Sequence, residues 1–243
     1  MEQEFIRKGR QFVKSCAATL PLPRFYRDNY RYISIAQWIA TASSFVRYCS
    51  RCMYNKGTAL GHSFYHAEKV AIESAAIVLK ERGASEHSIH LAVLALMAGY
   101  FHDYFREMSD HPSKAAEYVQ NHFYHFIPED DVLAISFAIQ NHEAFKEHQQ
   151  VNNDDLMLLS NALYDADKFR WGPDNFLYTI WDMVATLHIS HNDIVMHFSE
   201  GVAHIDTIRH TFRSKTGIQY GPEFIDHGLV IAKQLKNYLE AKE

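Results

Sequence analysis

The chain has 243 residues, of which 47% are hydrophobic and 22% are charged, a composition typical of a folded globular protein rather than a disordered one. Ten Gly and six Pro are few for this length, which favours long helices over many short strands. Three Cys cannot form a disulfide framework, and the net charge of −5 argues against a surface dedicated to nucleic acid.

A hydrophobic period near 3.6 residues runs through most of the chain and predicts a series of helices. Their predicted ranges are 3–18, 33–53, 63–82, 86–105, 112–125, 129–145, 154–169, 174–190, 191–211 and 222–241. Several breaks coincide with helix stop signals, such as Gly83 after a basic turn. No Asn-Gly or Asp-Gly turn lies between alternating apolar residues, so we expect an all-α fold.

The segment 86–105 is apolar on nearly all sides, so we expect it to be the central helix of a bundle. No linker interrupts the pattern, which predicts a single domain over residues 1–243. The longest apolar stretch, Leu91 to Phe101, is about half of the roughly 20 residues that a bilayer span needs. The N-terminal residues lack a continuous apolar run, and we therefore expect a cytoplasmic protein without a membrane partner.

Sixteen His are an unusually large number, and several stand with Asp residues at the ends of predicted helices. A buried ionisable pair costs several kcal/mol unless it is paired or bound to metal. Imidazole and carboxylate without thiolate suit Mn²⁺, Fe²⁺, Co²⁺, Ni²⁺ or Zn²⁺, and Mg²⁺ is a further candidate. The candidate ligands, in chain order, are His66, His102, Asp103, His111, His142, Asp165 and Asp167.

The order of these residues over 58–170 resembles the HD superfamily of metal-dependent phosphohydrolases. The resemblance is carried by the sequences GHSFYHAEKV, LAVLALMAGYFHD and ADKF. It implies an HD-type helical bundle in which 58–170 is the metal-binding core and 1–57 and 171–243 are helical extensions. It also implies one metal ion bound by His66, His102, Asp103 and Asp167, with Asp165 as the competitor for the last position.

Some members of this superfamily bind a second ion through two further His residues. His111 and His142 lie at comparable positions, although the short interval after Asp103 leaves one or two ions per chain open. In the two-ion case the resemblance implies that Asp103 bridges both ions. His122 and His125 are alternative ligands, and their other interpretation is packing or solvent contact.

The segment HSFYHA is similar to the part of cyclic-nucleotide phosphodiesterases in which a His protonates the leaving group. This similarity assigns that role to His62, although Ser63 stands where that family has Asn. The other interpretation of His62 is a residue that hydrogen-bonds to the metal ligands. Lys168 and Arg170 follow the last ligand and are the predicted phosphate contacts, because a guanidinium can bind phosphate through two hydrogen bonds.

The segment 213–224 is rich in Gly, Lys and Arg and is predicted to be a loop. It is interpreted either as a lid that brings Arg213 and Lys215 to the ligand or as an exposed connector.

The resemblance implies hydrolysis of a phosphate ester, a nucleotide or a phosphodiester, by metal-activated water. The alternatives are a di-iron oxygenase of the HD type and a non-catalytic nucleotide-binding module. The expected partner is a small-molecule phosphate ester, with a nucleotide as first candidate, and a homo-oligomer is left open.

Overall fold

The computed structural model describes residues 2–56 and 63–241, which form helices joined by turns and contain no strand. The predicted all-α fold is therefore confirmed for these ranges. The described helices are α1 (Glu2–Ala17), α2 (Arg24–Asp28), α3 (Tyr30–Ala42), α4 (Ser44–Lys56), α5 (Phe64–Arg82), α6 (Glu86–Phe101), α7 (His111–Phe123), α8 (Glu129–Gln140), α9 (Asp154–Phe169), α10 (Ile180–Leu187), α11 (His191–Thr207) and α12 (Lys215–Glu240).

Helix α6 lies at the centre of the bundle, as its apolar sequence predicted. It packs against α4, α5, α8 and α9, and its residues from Leu94 to Phe101 are almost all buried. The helix starts at a capping box in which the Ser85 hydroxyl accepts the backbone N–H of Ser88. Within the described residues, no helix has the length and apolar composition needed to span a membrane.

Helices α5 and α6 touch along their backbones at Gly99. A Cβ atom on this residue would lie 2.3 Å from the Cα atom of Ala71 and 2.6 Å from its nitrogen. Glycine is therefore required for this approach. Gly99 lies three residues before His102, and Ala71 lies five residues after His66. The contact between them therefore sets the separation of these two predicted metal ligands.

In the N-terminal part, one predicted helix is split into two and one short helix was missed. The predicted helix 33–53 is two helices, because Ser43 has an extended backbone and its hydroxyl accepts the N–H of Val46 at 3.2 Å. Such a side-chain cap begins a new helix, α4. The short helix α2 was not predicted, because PLP just before it was interpreted only as a stop signal.

The segment 213–224 is not the loop that the sequence predicted, and its interpretations as a lid and as a connector are both wrong. Helix α12 begins at Lys215, and the Ser214 hydroxyl caps it by accepting the N–H of Gly217 at 2.8 Å. Gly217 serves close packing, since a Cβ atom there would lie 2.0 Å from Oδ2 of Asp165. The glycines were mistaken for loop residues because their tertiary neighbours are absent from the local pattern.

The N- and C-terminal helices pack on one another. Helix α1 contacts α10 and α12, and the indole ring of Trp181 covers Gly9, where a Cβ atom would lie 2.0 Å from the ring. The Trp181 indole N–H donates to the carbonyl oxygen of Phe176 at 2.7 Å, which ties α10 to the π-helical turn Asn175–Thr179 before it. The division into a 58–170 core and two extensions stays a prediction.

Replacing Gly99 with Ala is expected to lower the free energy of unfolding by about 1–3 kcal/mol, because the added methyl group meets rigid backbone. Gly201→Ala is the matched control, since it lies in α11 and a Cβ atom there has no neighbour within 4 Å. The control is expected to keep its stability or gain up to about 1 kcal/mol. Urea unfolding measures both variants, and equal stabilities would contradict the backbone contact.

Candidate metal centre

Three helices bring His66, His102, Asp103 and Asp167 together. His66 lies in the first turn of α5, His102 and Asp103 follow the end of α6, and Asp167 lies in the last turn of α9. The Nε2 atoms of the two His are 3.2 Å apart. The Nε2 atom of His102 lies 3.2 Å from Oδ2 of Asp103, and the Nε2 atom of His66 lies 3.4 Å from Oδ1 of Asp167. We call these four residues the first ligand group.

The spacing of the first ligand group fits a divalent ion. Donor atoms held at about 2.0–2.2 Å from a common ion lie about 2.8–3.6 Å from their neighbours in tetrahedral or octahedral geometry. The distances that involve an imidazole nitrogen of this group range from 3.2 to 3.7 Å. Two imidazoles and two carboxylates suit several divalent metals and select none of them.

A second ligand group shares Asp103 with the first. Its Oδ1 atom lies 3.2 Å from Nε2 of His111 and 3.4 Å from Nε2 of His142, and these two nitrogens are 3.4 Å apart. His111 is the first residue of α7, and His142 follows the end of α8. One carboxylate thus presents Oδ2 to the first group and Oδ1 to the second, the arrangement expected of a residue that bridges two ions.

Backbone carbonyls orient two of the imidazoles. The Nδ1 atom of His102 is 2.8 Å from the carbonyl oxygen of Gly99, and that of His142 is 2.6 Å from the carbonyl oxygen of Ile139. A carbonyl oxygen only accepts hydrogen bonds, so each Nδ1 carries the proton and donates it. When Nε2 carries no proton, each ring presents the Nε2 lone pair to the ligand groups, which is the tautomer that binds metal.

The electrostatics of the cluster favour a bound cation. Burial lowers the pKa of His102, but the nearby carboxylates of Asp103 and Asp167 outweigh burial and raise it to about 10. Burial raises the pKa of Asp167, but Lys168 and the two imidazoles hold it well below its usual range. Burial lowers the pKa of His142 and keeps that ring neutral. A proton on His102 therefore occupies the position that a metal ion takes.

Two cationic side chains lie at the ligand groups. Lys168, a predicted phosphate contact, is buried and its ammonium group donates to Oδ2 of Asp167. Arg106 was missed in the sequence, and its Nη1 donates to Nε2 of His111 at 3.0 Å. That lone pair is the one a second ion requires, so the guanidinium must move when an ion binds there. Arg106 lies three residues after Asp103, and this spacing could have indicated a side chain near the ligands.

Arg170, the other predicted phosphate contact, is held by buried carboxylates. Its Nη2 atom donates to Oε2 of Glu73 at 2.6 Å and to the Tyr26 hydroxyl at 3.2 Å, and its Nη1 donates to Asp174. Burial lowers the pKa of Arg170, but these neighbours raise it well above its usual range, so it stays charged. Its contact with a phosphate stays a prediction.

Asp165, the competitor of Asp167, has a different neighbourhood. Its carboxylate accepts the backbone N–H groups of Arg213 at 2.8 Å and Ser214 at 2.7 Å, just before α12 begins. Burial raises the pKa of this carboxyl to about 7, although these hydrogen bonds oppose the shift. Asp165 thus fastens α12 to α9, and Asp167 is the residue within the first ligand group.

The remaining candidates lie outside the two ligand groups. His122 hydrogen-bonds through Nε2 to the Tyr48 hydroxyl at 2.8 Å, and His125 is exposed. Lys215 is also exposed, and the Arg213 guanidinium donates to the carbonyl oxygen of Asn141. The predicted acid, His62, lies outside the described residues, so its role stays a prediction.

Comparisons with family models, with curated proteins and with solved structures found no match to this chain. The class of protein is therefore defined by the fold and the site. Over its described residues the chain is all-α, with a buried His and Asp cluster that could hold a metal ion. This combination is compatible with an HD domain and with a metal-dependent enzyme.

We expect the protein to bind two divalent ions per chain, one at each ligand group. His142→Ala is expected to reduce the ratio to one, because it removes a donor from the second group and none from the first. His125→Ala is the control, as this exposed His belongs to neither group. Elemental analysis of protein purified without chelators measures the ratio, and a ratio of one in the parent protein would contradict the second site.

Metal binding is expected to release a proton, because His102 has a pKa of about 10 without metal and must be neutral to bind one. The affinity for metal therefore rises with pH through the neutral range. Calorimetric titration with Mn²⁺ in two buffers of different ionisation enthalpy counts the protons released. Binding heats that are independent of the buffer would show that no proton is exchanged and would contradict this assignment.

Proposed function

We propose that the protein is a metal-dependent phosphohydrolase of the HD type, which cleaves a phosphate ester with water. The observation that carries this proposal is the bridging position of Asp103 between the two ligand groups. Paired ions about 3.5–4 Å apart recur in enzymes that transfer phosphoryl groups, where they stabilise the attacking and leaving oxygens. A lone structural ion does not need a shared carboxylate.

The two ligand groups would hold divalent ions, which would supply a more acidic water and polarise a phosphoryl oxygen. The protein itself holds the six ligands in place and keeps their lone pairs directed inward. Most of the catalysis in phosphoryl transfer is positioning and charge stabilisation, so cations beside the ligands matter. Lys168 supplies a buried ammonium group, and Arg106 supplies a part-exposed guanidinium at the second group.

The leaving alcohol needs a proton, and His62 is the group proposed to donate it. In sequence it precedes His66 by four residues, and the similarity of HSFYHA to the phosphodiesterase segment supports this assignment. Arg170 lines the cavity at the ligand groups, where it forms ion pairs with Glu73 and Asp174. Binding a phosphate would break these pairs, so Arg170 is better suited to positioning the two carboxylates.

A di-iron oxygenase is the second candidate function, and the second ligand group is the observation that favours it. Such an enzyme requires both His111 and His142 as ligands, and both Nε2 atoms lie within 3.4 Å of Asp103. Iron in protein purified without oxygen, together with substrate-dependent oxygen uptake, would identify it. A non-catalytic nucleotide-binding module would instead show ligand-dependent thermal stabilisation without turnover.

The proposal predicts release of inorganic phosphate from a panel of phosphate esters in the presence of Mn²⁺, Co²⁺, Ni²⁺ or Mg²⁺. Loss of a single outer-shell partner of a metal typically costs about 10–100-fold, so the double variant His102→Ala, Asp103→Ala is expected to lose more than about 100-fold. His125→Ala is the control and is expected to retain full activity. Activity that survives in the double variant would refute the proposal.

A further inference from the structure

A cavity of about 730 Å³ extends from the metal centre toward α10 and α11. At its inner end it is lined by ligands of both groups, including His66, Asp103, His142 and Asp167, together with Lys168. The cavity is within the size range of about 300–1,000 Å³ that is usual for small-molecule sites. A ligand that reaches the centre with its reacting group therefore has room for the rest of its structure in this space.

Beyond the charged inner end, the walls are mostly apolar. The buried side chains of Phe176, Val184, Ile194, Phe198 and Ile205 line the cavity. They come from the π-helical turn, α10 and α11, which form one continuous stretch of chain. The metal centre thus has an apolar compartment attached to it rather than a second polar surface.

The polar side chains that the π-helical turn and α11 contribute to this compartment are exposed or part-buried. Asp193, His197 and His204 are exposed on α11, and Asn175 and Thr179 of the π-helical turn are part-buried. A nucleoside brings several hydroxyl and ring nitrogen groups that lose water on burial and need partners from the protein. The deep walls offer apolar side chains instead, which gain from burying hydrocarbon.

We infer that the substrate is a phosphate monoester of an apolar alcohol, with its phosphate at the metal centre and its hydrocarbon group between α10 and α11. This inference rests on the proposed phosphohydrolase function and replaces the nucleotide expected from the sequence. In the reaction, a water oxygen bonds to phosphorus, the bond between phosphorus and the alcohol oxygen breaks, and a proton from the water ends on that oxygen. The products are the apolar alcohol and inorganic phosphate.

Gly201 offers a way to fill the compartment without disturbing the metal ligands. It lies on α11 at the cavity, and no atom of the protein lies within 4 Å of the position that a Cβ atom would take there. Gly201 is exposed, so Gly201→Phe places a bulky ring at the rim of the cavity at little cost to folding. Met196→Phe is the matched control, because Met196 is 70% exposed on the same helix and does not line the cavity.

The test measures phosphate release from dodecyl phosphate below its micelle concentration, from ethyl phosphate and from adenosine monophosphate, all with Mn²⁺. The expected result is a kcat/KM at least about tenfold higher for dodecyl phosphate than for the other two. Gly201→Phe is expected to remove most of that preference, whereas Met196→Phe is expected to keep both the preference and the rate on ethyl phosphate. A preference for adenosine monophosphate, or an equal loss on all three esters, would overturn the inference and leave the phosphohydrolase function standing.

A binding measurement separates this inference from the proposed function. Dodecylphosphonate, which cannot be hydrolysed at its carbon–phosphorus bond, is titrated into the Mn²⁺-loaded protein and compared with ethylphosphonate. Tighter binding of the dodecyl compound that is lost in Gly201→Phe supports the apolar compartment, and equal binding of both compounds overturns it. If no ester releases phosphate, the proposed function fails, and this comparison still decides whether the compartment takes an apolar group.

Discussion

A carboxylate shared by two groups of imidazoles is the interaction around which the helices are arranged. Asp103 is 5% exposed and faces His102 through one oxygen and His111 and His142 through the other. Buried carboxylates are costly unless a cation compensates them. The same field that raises the pKa of His102 attracts a metal ion, so the proton and the ion compete for one position.

The five ligand-bearing helices meet at this carboxylate by their ends. Each ligand lies in the first or last turn of its helix or just after its end. The Gly99 contact brings the start of α5 and the end of α6 together, and Asp165 ties the start of α12 to α9 beside Asp167. Packing next to the ligands therefore helps to set the distances between them.

The metal centre and the cavity come from different parts of the chain. The ligands lie between His66 and Asp167, whereas most of the apolar wall comes from the π-helical turn, α10 and α11. Helix α1 supports that wall through the packing of Trp181 on Gly9. The candidate ligand groups and the apolar wall therefore depend on separate sets of contacts.

The amino-acid pattern by itself determined the helical fold, the central helix and the six metal-ligand candidates that the structure brings together. Apolar spacing encodes a helix locally, and His and Asp at helix ends are visible without a fold. Only the tertiary structure separated Asp167 from Asp165, because residues two apart on a helix point about 200° apart and the neighbours decide which one faces the cluster. It also decided that 213–224 begins α12, that Arg106 reaches His111, and that an apolar cavity adjoins the centre. Each of these depends on contacts between residues distant in sequence, which local spacing does not encode.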